Sequence, residues 1–322
     1  MSTELSPAAD SPAPDAPFFA VFNRSSGAHE AEAVRAQVEA VMAAAGREFH
    51  AFVVPEPRRL MEIAHDCVRR AQARRGIVVA AGGDGTINAV AQAVLGSGCV
   101  FGVLPLGTFN YFCRSHGIPQ DIGDAARVLV QGQVRPVQVG QVNERLFLVN
   151  ASLGLYPQLL EDREQAKRQF GRSRLVAIVS GLKTLLRQHR VLRLLLRVDE
   201  QVDHVATPTL FVGNNRLQLE QLGIADAHRV EHGELIGIGL HPVSVAGMLW
   251  LAICGSLGRL GDAGNVEIGG FRVLEVSVPK ARRPRIKVAT DGEVGLMRLP
   301  LRFAVADERL ALLCPRAPEA GA

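Results

Sequence analysis

Aromatic residues are scarce, at 5% with a single Trp and two Tyr, so the chain lacks the stacking platforms that single-stranded nucleic acid needs. The common nucleotide signatures are missing as well: no G-x-x-x-x-G-K-[ST] loop, no strand-linked G-x-G-x-x-G, no HRD/DFG set. A G-x-S-x-G elbow and an H-E-x-x-H helix are absent, and the nine histidines are scattered without zinc-ligand spacing. The five cysteines (Cys67, Cys99, Cys113, Cys254, Cys314) form no C-x-x-C pair and are odd in number. Several sit in apolar runs, the setting of buried free thiols in a reducing cytoplasm. The uncharged stretch Val243–Gly258 is sixteen residues long, short of the ~20 that span a bilayer as a helix. Its glycines and Trp250 suit a buried helix. The first sixteen residues, rich in Pro, Ala, Ser and Asp, have neither the basic start nor the apolar centre of a signal peptide and read as a disordered leader.

What is present describes a globular protein of two domains: 322 residues, 48% hydrophobic, 21% charged, with 32 Gly. The net charge of +4 is unevenly spread. Between Arg163 and Arg197 stand ten Lys/Arg against one acid, Glu164, and Lys280, Arg282, Arg283, Arg285 and Lys287 form a second cluster. Such patches suit an anionic membrane surface or nucleotide phosphates, and equally suit solvated faces.

Strand and helix alternate in the first half. Phe18–Phe22, Phe49–Val54, Ile77–Ala81 and Cys99–Leu104 read as strands. Helices are expected over about Glu30–Ala45, Arg58–Arg74 and Ile87–Leu95, which predicts a parallel sheet covered on both faces. Ligands then bind at the carboxyl ends of the strands. Three turn motifs fall there: Asn23-Arg24-Ser25-Ser26-Gly27, Gly82-Gly83-Asp84-Gly85-Thr86-Ile87-Asn88, and Gly107-Thr108. A glycine-rich loop opening a helix can cradle phosphate with bare N–H groups. Asp84 repels phosphate, so its place there points to a divalent cation between the two; alternatively Asp84 or Thr86 merely caps the helix. From about Val137 short strands bounded by Gly, Asn and Pro predominate, with helices near Leu175–Gln188 and Val243–Leu257, as in an antiparallel sandwich. The resulting division is 1–16 leader, 17–136 α/β nucleotide-binding domain, 137–300 β-sandwich substrate domain, and 301–322 returning to the first domain. The helix near Leu175–Gln188 has an apolar face with Lys183 and Arg187 elsewhere, so it either docks on a bilayer or packs on its own domain.

Gly82-Gly83-Asp84-Gly85-Thr86 with Asn88, followed by Leu104-Pro105-Leu106-Gly107-Thr108-Phe109-Asn110, resembles the diacylglycerol kinase catalytic domain of bacterial lipid kinases and sphingosine kinases, which is related to NAD kinases. Phe147–Gly154, Val212-Gly213-Asn214-Asn215 and Asp291-Gly292-Glu293 extend the likeness in order, from about Phe18 to Cys314. The resemblance implies a three-layer α/β domain plus a β-sandwich domain. It also implies ATP and Mg²⁺ as cofactors and a lipid hydroxyl as acceptor. Asn23, Arg24, Ser25, Ser26, Gly27, Gly82–Asn88, Gly107, Thr108 and Asn110 match its ATP-binding loops. The amides of Gly83, Gly85 and Thr86 would cradle phosphate, with hydroxyls from Thr86 and Thr108, and Asp84 would hold the metal. Asp291 is the expected general base, with Glu293 as the alternative; a plain Asp-Gly hairpin turn is the bland reading.

Three positions depart from the family pattern: Tyr111 where many members carry Asp, Gln138 where Asp often precedes a Val-Gly pair, and His232 in place of the Asp of an Asp-Gly pair that holds a second metal. The expected activity is phosphorylation of a lipid, diacylglycerol first, with a sphingoid base, monoacylglycerol or soluble alcohol as alternatives, and a non-catalytic binding protein as the rival of another class. The expected setting is cytoplasmic, peripheral at the inner membrane face, with a homodimer allowed and no nucleic acid partner.

Overall fold

The structure, a computed structural model, describes residues 12–23, 28–170, 191–279 and 284–316. The chain forms two compact units, Met1–Val139 with Ala306–Ala322, and Gly140–Val305. The second is inserted in the first, and the chain leaves and re-enters side by side: the Ala306 N–H donates to the Val139 carbonyl at 2.9 Å.

In the first unit, strands β1 (Phe18–Asn23), β2 (Phe49–Val54), β3 (Ile77–Gly82) and β4 (Val100–Pro105) run parallel in the order β2-β1-β3-β4. Strand Leu310–Cys314 adds parallel to β4, and β5 (Gln133–Val137) closes the edge antiparallel to it. Every residue of β3 and β4 is buried, which is why they read as unbroken apolar runs: a parallel strand with helices on both faces meets no water. Helix α1 is Ala28–Ala44, α2 Leu60–Ala73, α3 Asp84–Val94, α4 Tyr111–Ser115 and α5 Ile122–Gln131. α2 packs beside α3, and α1 beside α5, giving three layers. α2 buries Ala64, Cys67, Val68 and Ala71, the i, i+3, i+4, i+7 stripe of one helical face.

The second unit holds two antiparallel six-stranded sheets. One has the order Gln201–Thr207, Leu192–Val198, Val273–Ser277, Leu301–Val305, Gly140–Val142, Arg145–Phe147. The other has Val266–Phe271, Leu235–Leu240, Thr209–Gly213, Asn150–Gly154, Arg285–Thr290, Glu293–Arg298. Phe147, Leu194 and Phe303 of the first sheet meet Leu153, Val212 and Val288 of the second in one core, each at most 1% exposed. The outer face of the second sheet carries a smaller core, where Leu219 of α7 (Arg216–Gln221) joins Ile224, Ile236 and Ile238. α6 (Leu155–Phe170) and α8 (Val245–Ser256) complete the described α-helices of this unit.

Two expectations change, and two strands lie where none was expected. Leu301–Val305 stays in the second unit, paired with Val273–Ser277 and Gly140–Val142, and only Leu310–Cys314 returns to the first. α8 forms where a helix was expected, but Trp250 on it is 60% exposed rather than buried. Strands Gln133–Val137 and Gln201–Thr207 went unforeseen. Both are sheet edges, one interrupted by Pro136 and the other polar and mostly exposed, so neither carries an apolar pattern. The proposed basic helix at Leu175–Gln188 lies outside the described residues, as do Lys280, Arg282 and Arg283.

Leu312 is fully buried and sits between β4 and β5. Leu312→Ala should destabilise the protein by about 2–5 kcal/mol, read as a lowered urea midpoint by circular dichroism.

Candidate active site

Because β1, β3 and β4 are parallel neighbours, their carboxyl ends lie together. Asn23, the last residue of β1, donates from Nδ2 to Thr86 Oγ1 at 2.9 Å, tying that strand end to the glycine loop. The loop after β4 is tied in turn by the Leu106 N–H, which donates to the Gly82 carbonyl at 2.9 Å. Here glycine is required by contact rather than by backbone angle. A Cβ on Gly107 would stand 2.7 Å from Gly83 Cα, and one on Gly82 would stand 2.5 Å from Thr86 Cβ. Asn110, at φ 47°, braces the second loop: its Oδ1 accepts from the Gly107 N–H at 3.0 Å, and its Nδ2 donates to the Gly107 carbonyl at 2.9 Å and to Gln120 Oε1 at 2.8 Å. Gly107, Thr108 and Phe109 are exposed between these anchors. Arg24, Ser25, Ser26 and Gly27 lie outside the described residues.

Helix α3 begins at Asp84, three residues earlier than the sequence pattern suggests. The Thr86 and Ile87 N–H groups both donate to the Gly83 carbonyl, at 2.9 and 3.0 Å. The Thr86 amide is therefore already committed, which corrects its expected part in a phosphate cradle, while its hydroxyl holds Asn23. Ile87 is fully buried in the core and Asn88 is 7% exposed; Ile87 supports the loop from beneath and presents nothing to a ligand. The first turn of α3 still contributes helix-end amides and the positive end of the helix dipole.

Asp84 stands in that first turn, facing a second helix start. Burial pushes its carboxyl above the usual carboxylate range, against the opposing pull of the Phe112, Asn110 and Tyr111 amides at the head of α4. Its Oδ1 is buried and accepts no hydrogen bond. A buried carboxylate oxygen lacking a donor is a strained state that a hard cation relieves. Among the described residues no three His, Cys, Asp or Glu side chains cluster as a metal cage. Asp84 is the side chain here that could hold a cation, and Mg²⁺ is a cation that one or two carboxylates with several waters suffice to bind.

In the second unit, Asp291 and Gly292 form the two-residue turn between strands Arg285–Thr290 and Glu293–Arg298, with φ of 48° and 88°. This is the Asp-Gly hairpin of the bland reading, yet the side chain does more. Asp291 Oδ2 accepts from the Leu148 N–H at 2.7 Å, and Oδ1 from Val149 and Asn150 at 2.9 Å each. Three consecutive amides thus converge on one carboxylate, and the Asp291 N–H returns a bond to the Asn150 carbonyl at 2.9 Å. The bend at 148–150 is held from its other side by Asn214, whose N–H donates to the Val149 carbonyl at 2.8 Å and whose Nδ2 donates to the Leu148 carbonyl at 3.2 Å. Asn150 Nδ2 donates to Gln218 Oε1 at 3.0 Å. Leu148–Asn150 and Asn214, within the stretches Phe147–Gly154 and Val212–Asn215 that extend the family likeness, form the mount of Asp291. Gln218 carried no sequence signal. Glu293 is exposed at the start of its strand.

The profile of the diacylglycerol kinase catalytic domain matches residues 17–142. A Pseudomonas aeruginosa protein named "Probable lipid kinase YegS-like" is 30% identical over 300 residues, covering 89% of this chain and 92% of that one. The chain belongs to the diacylglycerol kinase catalytic-domain family. A Bacillus subtilis protein named "Diacylglycerol kinase" is 44% identical over 89 residues, a match that spans only 27% of this chain and 29% of that protein. The crystal structure of a Bacillus anthracis diacylglycerol kinase superposes with a TM-score of 0.65 at 16% identity, over 92% of this chain and 96% of that one, and shares the fold.

Within this family framework the three departures have defined places. Tyr111 opens α4 and stacks on Phe109, ring centroids 6.0 Å apart and 9° from parallel. Gln138 is buried just before the chain enters the second unit. His232 ends a 3-10 turn, with Nδ1 3.1 Å from the His228 carbonyl.

α4 is closed by His116, packed edge-on against Phe112 at 4.7 Å. Burial, reinforced by the charge of Arg135, holds its imidazole down to about 4. The unfolded chain takes up that proton near pH 6.5, so between about 6.5 and 4 the unfolded state binds more protons and stability falls with pH. The melting temperature should decline across that window, and His116→Gln should flatten the slope.

Proposed function

We propose that this chain is an ATP-dependent lipid kinase, transferring the γ-phosphoryl group of ATP to a lipid hydroxyl, with diacylglycerol yielding phosphatidic acid as the first substrate to test. The observation that carries the reading is Asp84: a half-buried carboxylate whose buried Oδ1 accepts no hydrogen bond, set between two helix starts beside glycine loops where a Cβ would clash. In this reading the Gly82–Gly85 loop and the Gly107–Thr108 loop receive the polyphosphate, with the α3 N-terminus adding its positive field. Asp84 and Asn110 fix the geometry at that place. Mg²⁺, held by Asp84, would supply neutralisation of the charge that develops on the phosphoryl oxygens.

Asp291 is assigned the proton of the attacking hydroxyl. Its amides at 148–150 hold the carboxylate in one orientation, and Oδ2, which accepts one of those three, is the oxygen assigned to the substrate. Glu293, exposed and unanchored by any comparable bond, is the weaker candidate. Because the acceptor is a lipid, the reading includes peripheral contact with a membrane at its cytoplasmic face. The Phe109–Tyr111 stack, standing where many members place an acid, favours a second reading in which the chain binds nucleotide without turning it over.

The test is transfer of radiolabel from ATP to lipid in mixed micelles, alongside melting curves. Asp84→Asn should lower activity on the order of a hundredfold or more without lowering the melting temperature, since it removes a charge that burial disfavours. Asp291→Asn should lower both activity and stability, the latter by about 1–3 kcal/mol, because three amides lose an ionic acceptor. Glu293→Gln should leave both unchanged. Full activity in both Asp variants would refute the site, phosphorylation of soluble acceptors alone would refute the lipid assignment, and nucleotide binding with no transfer would establish the second reading.

A further inference from the structure

Phe109 stands in water on the loop that follows β4. It is 52% exposed, and among the described residues the only other aromatic ring of such exposure is Trp250. A single exposed ring is common in globular proteins; orientation and rigidity set this one apart. Phe109 and Tyr111 stack with their planes 9° apart. The other contacts between two Phe or Tyr rings among the described residues are tilted or edge-on, at 35°, 79° and 90°. With one face toward Tyr111 and half its surface in water, Phe109 presents an open π-face.

The backbone is tied on both sides of that ring. Ahead of it, the Leu106 N–H donates to the Gly82 carbonyl at 2.9 Å, and Asn110 Oδ1 accepts from the Gly107 N–H at 3.0 Å. Behind it, Asn110 at φ 47° leads into α4, where the Arg114 N–H donates to the Asn110 carbonyl at 2.9 Å and Phe112 is 1% exposed in the core. The ring pair is thus positioned before any ligand arrives, and a preorganised contact loses little affinity to ordering.

The pair also stands beside the phosphate loops. Phe109 follows Thr108 directly, and the Phe112, Asn110 and Tyr111 amides all draw on the Asp84 carboxylate. A nucleotide is a flat aromatic base joined to a polyphosphate. An open π-face next to a phosphate cradle matches both parts, whereas an acyl chain has no plane to stack. The scarcity of aromatic residues that argues against a surface for a nucleic-acid strand is compatible with a platform for one base.

We infer that Phe109, backed by Tyr111, is the stacking platform for the base of the nucleotide, and that it favours a purine, which offers the larger π-face. The inference rests on the ATP reading above and adds the residue that receives the base; it is independent of whether the nucleotide is turned over.

The test is calorimetric titration of the full-length protein, in Mg²⁺, with ATP and with ribose 5-triphosphate, which keeps the sugar and phosphates and lacks the base. The parent should bind ATP more tightly. Phe109→Ala should weaken ATP roughly tenfold and shift ribose 5-triphosphate by less than about twofold, while Phe109→Trp retains the ATP affinity of the parent. An alanine variant that binds ATP as the parent does overturns the proposal; if that variant also phosphorylates dispersed diacylglycerol more slowly, the ring belongs to the acceptor. An equal loss for both ligands overturns it too, making the ring a brace for its loop. Equal binding of both ligands by the parent sinks the platform and leaves the phosphate cradle standing, whereas a parent that binds neither ligand sinks the ATP reading itself.

Discussion

The first unit depends on a close approach of two backbones. Gly83 and Gly107, on the loops after adjacent parallel strands, come near enough that a side-chain carbon on Gly107 would stand 2.7 Å from Gly83 Cα. The arrangement of these two loops follows from that contact. It sets the start of α3 against the start of α4, so that Asp84 meets the amides of Asn110, Tyr111 and Phe112. It leaves Asn110 to hold the second loop open with its side chain. Parallel pairing of β3 with β4 brings the loops to one edge, and the absence of Cβ atoms lets them touch.

The two carboxylates illustrate opposite ways of keeping a charge away from bulk water. Asp291 is compensated within the protein by three amides and is thereby oriented. Asp84 is under-compensated, with one oxygen lacking a donor and burial acting against its ionised form. The contrast separates a carboxylate that the chain satisfies from one that it leaves with an open acceptor oxygen.

Much of this was legible in the sequence. The buried strands announced themselves because both faces are covered, and the Gly82–Asn88 loop was readable as a strand-to-helix turn, with phosphate cradle and plain helix cap both open from the loop alone. What stayed hidden was decided by tertiary context. The start of α3 at Asp84 is fixed by the Gly83 carbonyl, which periodicity does not see. Ile87, the expected first residue of the helix and a match to the family's ATP-binding loop, is core. Edge strands Gln133–Val137 and Gln201–Thr207 carry Pro136 and exposed polar residues, having only one neighbour and much solvent. Trp250 looked like a core residue because apolar character alone does not say which side of a helix is covered. The hairpin at Asp291-Gly292 was readable as a turn, but its inward carboxylate requires the bend at 148–150, some 140 residues away in sequence.

The nesting of one unit in the other has a consequence for how the molecule comes into being. Strand Leu310–Cys314 lies inside the first sheet, between β4 and β5, and is separated from them by the whole second unit. During synthesis from the N-terminus, the second unit is complete while the first still has a gap in its sheet, with the edges of β4 and β5 unpaired. The sandwich can fold while the first sheet is still open, and by bringing Val139 and Ala306 together it shortens the search that the final strand must make. On this view the glycine-loop unit is begun first and finished last, and the inserted sandwich serves as the template that closes it.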